Sequence, residues 1–117
     1  MHIADGILSL PVIGAGMALS SVGVAWGLAK LRYEDLPKAA CVASAFFVAS
    51  CIHIPLGPSS AHLLLAGLAG ILLGPAVFPA LLVGLLLQVL YFQFGGFLSL
   101  GVNVFDMAFP AFLCGLL

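Results

Sequence analysis

Charged residues are scarce in this chain of 117 residues, since Asp, Glu, Lys and Arg make up 6% of it and 64% is hydrophobic. A soluble domain of this size has to present far more polar side chains to water. Residues 39–105 contain no charged residue, whereas one membrane-spanning helix needs only about 20 apolar residues. The sequence therefore predicts a membrane protein that crosses the bilayer more than once.

Several other signals are missing as well. The net charge of −1 gives no indication of nucleic acid binding. The first apolar run, 7–29, has no basic segment before it and exceeds the roughly 7–15 residues of a signal peptide core, which favours a retained helix. Cys41, Cys51 and Cys114 are odd in number and have no C-x-x-C spacing, so we expect small buried apolar side chains and no disulfide.

The apolar runs are too long for barrel strands, and lipid tolerates no unpaired backbone, so helices are predicted. The expected fold class is all-α, a polytopic transmembrane bundle of about five helices forming a single domain over residues 1–117. Asp5 is expected to cap the first helix and Ser59 or Ser60 the third. The predicted helices cover 7–29, 39–52, 61–73, a fourth from the break at 73–79 to the glycines at 95–96, and a fifth from near Phe105.

The three basic residues lie in one loop after the first helix, at Lys30, Arg32 and Lys38. The positive-inside rule places that loop in the cytoplasm and the N-terminus outside the cell. Counting the crossings forward then gathers a set of polar residues at the outer end of the bundle. They are His2, His53, His62, Asn103 and Asp106.

A histidine at position 2 allows a particular kind of metal chelate. The amine of Met1, the deprotonated amide nitrogen of His2 and the His2 ring nitrogen form fused rings in one plane. A fourth nitrogen completes a square that suits Ni²⁺ or Cu²⁺ and that Co²⁺ accepts, whereas Zn²⁺ prefers a tetrahedron. A single histidine near an N-terminus is most often only solvated, but ionisable groups at membrane level are functional by default.

His62 is the preferred fourth ligand, because it lies behind a flexible turn at the start of the third helix. His53 precedes Ile54-Pro55 at the end of the second helix, where a capping role is sufficient. Asp5 and Asp106 could offset the positive end of the helix dipole. Asn103 or Asp106 could hydrogen-bond the free nitrogen of a ligating ring.

Three stretches, "MHIADGIL", "HIPLGPSSAHLL" and "FGGFLSLGVNVFDMAFPA", together resemble the CbiM/NikM family. Its members are the substrate-capture membrane subunits of energy-coupling-factor ABC transporters for cobalt and nickel. The resemblance implies that the N-terminal segment inserts into the bundle. It also implies that Met1, His2 and His62 of the S-x-H-L motif, which begins at Ser60, hold the metal as transported substrate.

The resemblance further implies a protein that is not an enzyme, with no organic cofactor, in the plasma membrane of a bacterium or archaeon. Consistently, the chain has no G-x-x-x-x-G-K-[ST] loop for ATP. The implied partners are membrane lipid, a transmembrane scaffold subunit, two ATPase subunits and a small accessory membrane subunit, with uptake serving needs such as cobalamin biosynthesis.

Two departures from the family pattern stand out. Family members are usually about twice as long, so the chain resembles their N-terminal half or a truncated form. The family also often has Asn where this chain has Asp106. The planar site suits Ni²⁺, whereas the amino-acid sequence of the motifs is closer to the cobalt branch of the family.

Other interpretations of the same residues remain open. His53 and His62 could be axial ligands of a haem in an electron-transfer subunit, although such ligands usually come from facing helices. A non-binding assembly subunit whose histidines only cap helices is the other alternative. Small residues four apart in the first helix indicate close packing, either within the bundle or against a partner. These pairs are Gly14/Ala18, Gly23/Gly27 and Ala25/Ala29.

Overall fold

A computed structural model describes residues 9–51, 58–92 and 97–116, with the side chains of 50, 51, 58–64 and 92 left aside. Helices dominate these ranges, which confirms the all-α prediction. They are α1 (Leu10–Lys30), α2 (Leu36–Cys51), α3 (Pro58–Leu73), α4 (Val77–Phe92) and α5 (Leu100–Leu116), with single 3₁₀ turns at Tyr33–Asp35 and Gly74–Ala76.

The start of α5 differs most from prediction. This helix begins at Leu100, and the N–H of Asn103 donates the first helical hydrogen bond to the carbonyl of Ser99 at 2.9 Å. The expected start near Phe105 was wrong, because Gly101 and Asn103 were taken as loop residues. Glycine is suited to position 101 of this helix because an added Cβ there would lie 2.7 Å from the backbone of Met17, where a side chain has no room.

The other helices also begin at different residues than expected. Ser9, in an extended conformation, is the N-cap of α1, so Asp5, which lies outside the described residues, is not its cap. Helix α3 starts at Pro58, so Ser59 and Ser60 belong to its first turn and do not precede it. Proline has no N–H to lose in a first turn, which is why α3 starts at a residue that the sequence analysis had placed before it.

Helices α1 and α5 lie side by side and run in parallel. Gly16 contacts Val102 near their beginnings, and ten residues later the Trp26 ring meets the Phe112 ring edge-on at 5.0 Å between centroids. The connections 31–35 and 74–76 and the end of α5 therefore lie at one end of the bundle. This end is called the basic end, because Lys30, Arg32 and Lys38 lie there. The starts of α1, α3 and α5 lie at the opposite end, called the N-terminal end.

Two helical runs are apolar and long enough to cross a membrane, Leu10–Lys30 and Leu65–Tyr91. The second run cannot be one straight helix. An unbroken helix over 58–92 would be roughly 52 Å long at about 1.5 Å per residue, more than the 39 Å longest dimension of the molecule. The chain turns at Gly74, whose φ of +60° lies in the left-handed region.

Replacing Gly74 by Ala is expected to lower the free energy of unfolding by about 1 kcal/mol, because a left-handed φ brings Cβ too close to the following carbonyl. Space is not the reason, since an added Cβ would meet nothing within 4 Å. Gly74→Asn should lose less, because Asn tolerates this conformation. Thermal unfolding in detergent followed by circular dichroism measures both. Equal stability of Gly74→Ala and wild type would contradict the argument.

The core lies where α4 is surrounded by the other helices. Val77, Leu81 and Leu85 of α4 and Val104 of α5 have no solvent-exposed surface. The surface of the bundle is apolar too, and Cys41 and Cys114 are free and exposed. The expectation of buried cysteines was thus wrong for these two, because in a membrane protein apolar side chains also face outward.

Candidate metal centre

Of the four buried polar side chains among the described residues, three are almost completely enclosed and lie at the N-terminal end of the bundle. Gln88, near the end of α4, is 0% exposed, and Ser99 and Asn103, at the start of α5, are each 1% exposed. We call these residues the polar layer. A buried polar group costs free energy unless it is paired. Each of the three residues has an interaction within the structure, although the Oε1 atom of Gln88 meets no hydrogen-bond donor among the described residues.

The position of the polar layer is fixed by the contact between α1 and α5. The hydroxyl of Ser20 donates a hydrogen bond to the carbonyl oxygen of Gly101. One turn earlier, an added Cβ on Gly16 would lie 2.9 Å from the backbone of Val102, so only glycine allows this approach. These contacts hold the first turn of α5, and with it Asn103, against the first half of α1.

The structure places some of the predicted site residues and not others. Met1, His2, Asp5 and His53 lie outside the described residues, as do the side chains of Ser60 and His62. The backbone of His62 lies in the second turn of α3, at the N-terminal end. The candidate site residues were expected at one end of the bundle, and the starts of α3 and α5 do lie at the same end. The metal ligands themselves stay a prediction.

Asn103 and Asp106 lie on the same helix but differ in environment. Asn103 is buried in the polar layer, whereas Asp106 is exposed and faces a cavity between α1 and α5. Asn103 therefore has the burial expected of a side chain that orients a ligand, because a buried amide is held by its surroundings. Of the two residues that could hydrogen-bond a ligating ring, Asn103 is thus the buried one and Asp106 the exposed one.

The described residues alone form no metal centre. Within 9–51, 58–92 and 97–116, no group of three His, Cys, Asp or Glu side chains comes together. The polar layer offers only neutral amide and hydroxyl groups, which donate and accept hydrogen bonds but bind Co²⁺ or Ni²⁺ less well than imidazole does. Its chemistry suits orientation of a neighbouring polar segment.

Sequence reasoning missed Gln88 and Ser99. Gln88 is the single polar residue in the apolar run that forms α4, and Ser99 directly precedes α5. A polar side chain inside a membrane helix is rare and faces the bundle interior. That rule applied to Gln88 would have added it to the candidate site.

The small residues of α1 divide between two faces. Gly23 contacts Phe78, and Gly27 contacts Pro75 and Pro79, so this pair packs inside the bundle. Gly14 has nothing within 4 Å of an added Cβ, and Ala18 is exposed like it. Internal packing thus accounts for one of the three pairs, whereas Gly14/Ala18 and Ala25/Ala29 are exposed.

Fold and composition define an all-helical membrane protein with a buried polar layer at one end. The chain matches the family described as "CbiM: Cobalt uptake substrate-specific transmembrane region" over residues 2–117. It belongs to this family, as its motifs predicted.

Relatives carry names of the same kind. A Haemophilus influenzae protein named for metal transport is 54% identical over 95% of this chain and 54% of its own length. The fused nickel transport protein NikMN of Rhodobacter capsulatus is 38% identical over 92% of this chain and 33% of its own. The cobalt transport protein CbiM of Geobacter sulfurreducens is 32% identical over 98% of this chain and 36% of its own.

The chain spans between a third and about half of the length of these curated relatives. No solved structure matches it.

Proposed function

We propose that this chain captures Co²⁺ or Ni²⁺ at the outer face of the plasma membrane, as the substrate-binding subunit of an ATP-driven uptake transporter. Membership of the CbiM family over residues 2–117 is the observation that carries this proposal. Relatives named for cobalt transport and for nickel transport both align with nearly the whole chain, which supports either ion as the substrate.

The proposed ligands are the amine of Met1, the amide and ring nitrogens of His2 and the ring of His62. Four nitrogens in a plane favour Ni²⁺ and are compatible with Co²⁺, so the donor set agrees with the metals in the relatives' names. Asn103 supports this assignment by its burial at the end of the bundle where the helix of His62 begins. Around the ligands, Asp5, His53, Ser60 and Asp106 remain proposed supporting residues.

The proposed orientation has about five spans, with the N-terminus outside and the basic end in the cytoplasm. Lys30, Arg32 and Lys38 are all exposed at that end, as the positive-inside rule requires. Energy would come from two partner ATPases, coupled through a transmembrane scaffold subunit, with a small accessory membrane subunit as a further partner. The exposed small-residue pairs of α1, Gly14/Ala18 and Ala25/Ala29, are the proposed scaffold contact, since Gly23/Gly27 packs inside the bundle.

The affinity for Ni²⁺ is expected to fall by about tenfold or more for each pH unit between pH 8 and pH 6. Protons compete with the metal for amine, amide and imidazole nitrogens, and one proton released per bound metal already gives that slope. Equilibrium dialysis of the untagged chain at several pH values measures it. The unfolding midpoint, recorded over the same range, is the control for loss of fold, and a flat affinity profile would contradict the proposed ligands.

A further inference from the structure

We draw no further inference here: the strongest candidate, the enclosed side-chain cluster of Gln88, Ser99 and Asn103 at the N-terminal end of the bundle, belongs to the candidate metal site already described.

Discussion

His2→Ala is expected to lower the affinity of the chain for Ni²⁺ and Co²⁺ by about 100-fold or more. The substitution removes the ring nitrogen and with it the fused chelate that holds the amine and amide nitrogens in one plane. His62→Ala should lose affinity as well, because it leaves a corner of the square to water. Competition with a chelator of known affinity, on protein purified with a C-terminal tag, measures both.

His53→Ala is the comparison for these two variants, since it removes another imidazole from the same predicted end of the bundle, one that is proposed to support the site and not to bind the metal. It is expected to change the affinity by no more than a few-fold. Equal losses in His2→Ala and His53→Ala would show that the histidines act only through the fold. A loss of affinity in His53→Ala alone would mean that His53, and not His62, is the fourth ligand.

Gly70→Ala is expected to destabilise the fold by about 3 kcal/mol or more. An added Cβ would overlap the carbonyl oxygen of Ala111, and an added Cβ on Gly115 would in turn overlap the carbonyl oxygen of Gly70. Both obstacles are backbone atoms, so no side-chain rotation relieves them and α3 and α5 have to separate. Thermal unfolding in detergent, with circular dichroism as the signal, gives the loss.

Gly14→Ala is the control for a glycine in a helix, since nothing lies within 4 Å of its added Cβ. Its stability should stay equal to wild type or rise by up to about 1 kcal/mol, because Ala favours the helix more than Gly does. If the two variants unfolded at the same temperature, the close contact between α3 and α5 would be refuted.

Composition predicted the fold class because lipid leaves few alternatives. A long uncharged stretch has to form helices in a membrane, and the chain turn at Gly74 was predicted from the glycine and prolines of residues 73–79. The starts of the helices were less predictable, since a proline in a first turn and a proline after a helix look alike in the sequence. Pro58 illustrates this, being the first residue of α3.

The contact between α3 and α5 was missed although its signal was present. Ala66 and Gly70 on α3, and Ala111 and Gly115 on α5, are pairs of small residues four apart. Such pairs were considered on α1 alone, where one pair packs internally and another faces outward. A single sequence shows that a helix has a small-residue face but does not show which neighbour meets it, because this depends on how all the helices are arranged.

The candidate site divides in a similar way. The grouping of Asn103 and the start of α3 at one end followed from counting crossings, whereas the inward position of Asn103 and the outward position of Asp106 did not. Asn103 and Asp106 are three positions apart on the same helix. The packing of α1 against α5 decides which of the two is buried.

Titration of the untagged chain with Ni²⁺, followed by visible absorption and magnetic susceptibility, tests the central claim most directly. Capture by four nitrogens predicts one Ni²⁺ per chain in a diamagnetic, square-planar complex, lost when the N-terminal amine is acetylated. A paramagnetic complex with oxygen-type ligands, or binding that survives acetylation unchanged, would contradict the claim.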